Sequence, residues 1–213
     1  MTQVQARISL RAWSVITAIV LALGVVAAAA MPGQAGPTVP TDKMVVAGSR
    51  AQVAAPGTAV TLLQAKMQTS TTEDLMLHVS LECTIVTDIS TQGNDNSSAE
   101  GHVEVWIEVD GQPVPVLDPD PDGGRITFCD RSYNRTTSAF VADNNATIKD
   151  GLRTVSAHAF NWVKLNTGNG IHTITVKGTL SSSASSNAHA EAVIAGRTLV
   201  VDPTHAAVNE TNN

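Results

Sequence analysis

The chain has 213 residues, of which 43% are hydrophobic and only 3% aromatic, so one domain's core must be packed from Val, Ile, Leu and Ala. Its formal charge of −6 argues against nucleic acid or anionic lipid as a partner, because both select for basic surfaces.

Arg7 and Arg11 precede an uncharged run from Ala12 to Ala30, followed by small residues in AAAAMPGQAG. This pattern resembles a secretory signal peptide over residues 1–35, cleaved after Ala30 or Ala35. The run is also long enough to stay as an N-terminal anchor, the one way the chain would meet a membrane. Both readings put the rest outside the cytoplasm, whether secreted, periplasmic or tethered to the surface. Removal of Arg7 and Arg11 would take the charge from −6 to −8.

Residues 36–58 are rich in Ala, Pro, Gly and Thr and read as a linker, with one short strand at Lys43–Ala47. From there to residue 203 the dominant period is two. In DLMLHVSLECTIV, Leu75, Leu77, Val79, Leu81, Cys83 and Ile85 alternate with Met76, His78, Ser80, Glu82 and Thr84, which predicts a long half-buried strand. HVEVWIEVDGQPVPV predicts a hairpin at Asp110-Gly111. Pairing about that turn sets Ile107 against Val114 and Val105 against Val116, matching apolar residues across the pair. Pro113 and Pro115 cannot donate ladder hydrogen bonds, so Gln112–Leu117 belongs at a sheet edge.

Further strands are predicted at Arg125–Cys129, Thr154–Leu165, Ile171–Leu180, Ala188–Ala195 and Arg197–Val201, with a helical turn near Ile148–Leu152. The connection Ser181–Asn187 and the tail 204–213 read as flexible. About eight strands joined by short turns predict an all-β antiparallel sandwich over 59–203, immunoglobulin-like or jelly-roll in outline. Cys83 and Cys129 form an even pair in an oxidising compartment and predict one disulfide.

The stretch LDPDPDGG, Leu117–Gly124, is the most conspicuous candidate site. Asp118, Asp120 and Asp122 match the opening positions of a calcium loop, and hard oxygen ligands are what Ca²⁺ takes. The twelfth position, where a bidentate acid should stand, is Cys129, and the prolines favour extended backbone over the curl that gathers carboxylates around an ion. Strand directions taken in sequence place this stretch at the same end as Asp88–Gly101, where Asp88, Asp95, Asn94 and Asn96 would add oxygens.

His78, His102 and Glu104 lie on outward strand positions and could meet at a metal if their strands were neighbours. Trp106 and Trp162 are candidates for stacking on a sugar ring. Sequons occur at Asn96, Asn134, Asn145 and Asn209. The sequence carries no nucleophile elbow, HExxH, P-loop or dinucleotide fingerprint. The first expectation is therefore a non-enzymatic secreted or cell-surface module that binds an extracellular protein or carbohydrate, or builds the envelope. Two alternatives stand beside it: a calcium-assisted carbohydrate-binding module, and a metal-dependent extracellular enzyme using His78, His102 and Glu104.

Overall fold

The alternation beginning at Leu75 marks the central strand of a two-layer β-structure. A computed structural model of the protein describes residues 43–48, 57–92, 95–116, 120–137 and 147–204. The expected signal or anchor, Asp118, Asn145, Asn209 and most of the expected tail lie outside these residues. Among the described residues there are nine strands: β1 (Met44–Gly48), β2 (Ala59–Thr69), β3 (Glu73–Gln92), β4 (Asn96–Val109), β5 (Gln112–Pro113), β6 (Ile126–Thr136), β7 (Thr147–Thr167), β8 (Gly170–Ala184) and β9 (Ala188–Thr204). They form two antiparallel sheets, one in the order β1-β9-β3-β7 and one in the order β2-β8-β4-β5, with β6 also paired to β4. The expected sandwich is what the chain builds.

The core lies between the sheets. Leu75, Leu77, Val79, Leu81 and Ile85 of β3 project inward towards Val103, Val105 and Ile107 of β4 and Ile174 and Val176 of β8. Each such side chain contributes about 1.5–3 kcal/mol on burial, and with so few aromatics these aliphatic layers supply most of the driving force. Cross-links join the sheets on either flank. Cys83 of β3 is bonded to Cys129 of β6, with Cα atoms 6.6 Å apart. On the opposite flank β2 bulges between Thr61 and Leu63, and the buried Arg197 of β9 donates from Nε to the Leu62 carbonyl at 2.8 Å. Burial pushes the Arg197 guanidinium below its ordinary value.

The Asp110-Gly111 hairpin forms in the expected register, with Glu108 opposite Pro113 and the Val114 amide donating to the Ile107 carbonyl at 2.9 Å. Both turn residues have positive φ, 52° and 78°, as a two-residue turn matched to strand twist requires.

Several boundaries differ from the sequence reading. Ile148–Leu152 is not a helical turn: it opens β7, where its residues pair with Thr87–Thr91 of β3. A ladder to a distant strand overrides the weak local preference of a KDG segment. The expected strands 188–195 and 197–201 are one strand, β9, whose register slips opposite Leu81–Cys83. The Ser-rich connection is strand as far as Ala184, leaving a short turn before Ala188. The short strand inside the expected linker pairs with β9, Met44 opposite Val201, and so belongs to the folded body.

The largest correction concerns β6. Sequence order made Arg125–Cys129 run opposite to the strand after the hairpin. Instead β5 and β6 both run antiparallel to β4, pairing with Glu108–Val109 and with Asn96–Val105 respectively. They are two pieces of one edge, and the aspartate-rich stretch is an excursion partway along it.

Candidate functional site

That topology separates the acidic groups expected to share one end. Asp95 lies at the end where β8 meets β9, bonded there to Asn187, whereas Asp120 and Asp122 fall between β5, which starts opposite Val109, and β6, which starts opposite Val105. The run from Asn96 to Trp106 spans on the order of 30 Å at 3.4 Å per residue, so the two groups of carboxylates cannot hold one ion. Asp88 lies within β3, opposite Gly151 and His189, and is not in a loop.

The Asp120 carboxylate faces its own loop. Oδ2 accepts from the Val116 amide at 2.6 Å and the Gly124 amide at 2.9 Å, and Oδ1 accepts from the Asp122 amide at 3.0 Å. A carboxylate that already takes three backbone donors organises the turn, which is the Asx role, and Asp122 points to solvent. The Asp-x-Asp-Gly spacing carries that signal as well as the calcium one, and the turn reading fits this loop better. Gly124 has φ +73° and a Cβ there would lie 1.9 Å from the Val114 carbonyl oxygen, so only glycine fits.

Asp95 plays a comparable part at the other end. Its carboxylate accepts from the Asn96 amide at 2.8 Å and from Asn187 Nδ2 at 2.6 Å, pinning the β3–β4 corner to the β8–β9 turn. A cleft of about 450 Å³ opens beside this corner, lined by Asp88, Lys149, Asp150, Asn187 and His189 among others.

His78, His102 and Glu104 do not converge. His78 is on β3 in one sheet and bonds Asn161 at 2.8 Å; His102 and Glu104 are on β4 in the other sheet, and both positions face outward from the sandwich. His102 instead sits between Glu104 at 3.5 Å and Asp130 at 3.7 Å, and Glu104 also meets Arg125 at 3.6 Å. These are charge pairs on a sheet face, His102–Glu104 along β4 and His102–Asp130 across to β6. Among the described residues one cluster has three metal-ligating side chains within 4.8 Å, Cys83, Cys129 and His158, but its two sulfurs are consumed in the disulfide.

Neither tryptophan presents a ring for stacking. Trp106 projects outward from β4 but is only 5% exposed, with the Arg125 guanidinium 3.9 Å above the ring. Its Nε1 donates to Glu108 at 3.1 Å, and Lys177 Nζ reaches the other Glu108 oxygen at 2.8 Å. Burial would raise the Glu108 carboxyl, but these two hydrogen bonds and the charges of Lys177 and Arg125 outweigh it and hold the group below the usual carboxylate range. Trp162 is in the core, edge-on to Phe160 with centroids 4.8 Å apart. Of the sequons, Asn96 and Asn134 are exposed on β4 and β6.

The feature that sequence reasoning missed is the edge position of β7, whose stretch Thr154–Leu165 it did predict as strand. β7 forms the outer edge of its sheet, and it exposes Leu152, Val155, Val163 and Leu165. A second cleft, about 540 Å³, lies where its last third passes Pro115 and Val116. Along its inward side Asp150 accepts from Tyr133 Oη at 2.6 Å and Arg135 at 3.0 Å, which binds β7 to β6. The bond to Asp150, with burial adding to it, raises the Tyr133 phenol above its ordinary value.

Fold and surface together define a disulfide-tied, all-β antiparallel sandwich with one long exposed edge. No protein-family model and no curated protein matches the chain. Among solved structures it is similar to a chain in the structure of infectious bursal disease virus, Gx strain, at 14% identity and a TM-score of 0.26. That similarity covers 78% of this chain and 37% of the viral one, and at this TM-score it carries no argument.

Proposed function

We propose that this chain is a secreted or cell-surface β-sandwich that acts by binding an extracellular protein or carbohydrate, or by contributing to envelope structure, and not by catalysis. The observation that carries this reading is the Cys83–Cys129 bridge, a buried cross-link between the two sheets of a kind that persists in oxidising compartments. The basic and apolar pattern from Arg7 to Ala30 agrees with export. The engagement of Asp120, Glu104 and Glu108 in structural pairs also supports it, as does the apolar surface along β7.

Cell fractionation with thiol trapping tests the compartment. Protein found outside the cytoplasm, with both cysteines resisting alkylation until reductant is added, is the expected result. A cytoplasmic protein with two alkylatable thiols would overturn the reading. Turnover of any ester, glycoside or peptide substrate by the purified chain would overturn its non-catalytic half.

A further inference from the structure

The strand edges of this sandwich are not equally protected. β5 is two residues long and carries a proline, β1 is five residues long, β2 is broken by its bulge, and β6 is studded with Asp130, Arg131 and Arg135. Prolines, short length, bulges and charges are the devices that keep sheet edges from pairing with other chains. β7 has none of them over its middle. It spans 21 residues, pairs on one side only among the described residues, and carries neither proline nor a formally charged residue from Thr154 to Val163. Leu152 and Val155 on it are 44% and 52% exposed.

The sequence of β7 also complements itself. Let two copies pair antiparallel about a two-fold axis at Ala157. Asp150 of each copy then stands opposite Lys164 of the other, Arg153 opposite Asn161, Val155 opposite Ala159 and Gly151 opposite Val163. No like charges meet, and small residues occupy the axis, where close approach is needed. Lys164 is the last residue before the β7 register slips, so the Asp150–Lys164 pairs bound the whole regular part of the paired strands. Asp150 has capacity for the contact, since Tyr133 and Arg135 both bond its Oδ2.

We propose that β7 is the docking edge for a second copy of this chain, joining the two four-stranded sheets into one continuous sheet through Ala157 at a two-fold axis. The opposite-charge pairs on the inward face and the apolar pairs on the outward face then add to the new backbone ladder. The proposal does not depend on the compartment or on what else the protein binds.

Sedimentation of the purified full chain over a concentration series tests it. The wild-type chain is expected at twice the monomer mass. Ala157→Lys and Ala157→Glu each place like charges face to face on the axis and are expected to shift the protein to monomer mass, with far-ultraviolet circular dichroism unchanged because Ala157 is exposed. An equimolar mixture of the two variants should recover the dimer. Lys164→Ala should weaken association about tenfold, since it removes both end pairs. A wild-type chain that stays monomeric overturns the proposal, whether the edge is then covered by other residues of the chain or kept for a different protein. So does a dimer indifferent to both Ala157 variants, or a mixture that does not recombine.

Discussion

Trp162 Nε1 donates a 2.8 Å hydrogen bond to the Gly124 carbonyl, fastening the aspartate-rich excursion on one sheet to the core side of β7 in the other. The loop is therefore part of the packing, and its anchor can be weakened by degrees. Trp162→Phe keeps most of the ring volume but strands a buried carbonyl, and urea unfolding should show a loss of about 1–3 kcal/mol. Trp162→Ala also leaves a cavity beside Phe160 and should cost about 3–5 kcal/mol.

The two glycines of the same turn should respond differently to alanine. Gly123 has φ +63°, and its nearest neighbour to a new Cβ is the Pro113 side chain at 3.7 Å, so Gly123→Ala carries backbone strain alone, about 1–2 kcal/mol. Gly124→Ala adds a collision with the Val114 carbonyl and should exceed about 4 kcal/mol, or fail to fold. Thermal melts of the two variants side by side test the difference.

Asp120 and Asp122 should separate by role in the same way. Asp120→Ala removes the acceptor for three amides and should destabilise by about 1–3 kcal/mol, while Asp122→Ala should stay within about 0.5 kcal/mol. Calorimetric titration with Ca²⁺ should give no heat at this loop and no rise in Tm. A Tm that climbs with Ca²⁺ in the wild type and not in Asp120→Ala would restore a calcium role.

The cysteine pair closes a loop with a sequence separation of 46. In the chain-entropy model, opening it costs about 4 kcal/mol. Reduction, or the double replacement Cys83→Ala with Cys129→Ala, should lower the urea midpoint without changing the near-native far-ultraviolet spectrum.

At the hairpin end, Asp110 bonds His172 Nδ1 at 2.7 Å and accepts from the Thr173 amide at 2.7 Å. Burial pushes the Asp110 carboxyl up, but the His172 and Thr173 hydrogen bonds and the His172 charge outweigh it, and the group sits below its ordinary value. A lowered carboxyl adds stability above its unfolded value, and that stability is lost as pH falls through the lowered one. Asp110→Asn should flatten the acid limb of the Tm-against-pH curve by lowering its neutral plateau, and only slightly, because this side chain is half exposed to screening solvent.

What could be read from the sequence was what depended on local pattern. The alternation from Leu75 to Ile85 and the Asp110-Gly111 turn declare themselves, because period two and a positive-φ dipeptide need no knowledge of the partner strand. The cysteine pairing was legible too, from an even count alone. The direction of β6 and the start of β7 were misread because direction and pairing are long-range properties: Thr147–Arg153 becomes strand only against Val86–Gln92, and β6 turns parallel to β5 only because both border β4. His78 and His102 shared a pattern of outward positions, and period two cannot tell which sheet a strand joins.

β1 and β9 run side by side with Met44 opposite Val201, and β9 ends against Asp74 at the start of β3. The polypeptide therefore enters and leaves the sandwich at one pole, the pole of the Asp110-Gly111 turn. The opposite pole, with Asp95, Asn187 and the cleft beside His189, lies the length of β3 away from Met44 and Thr204 alike.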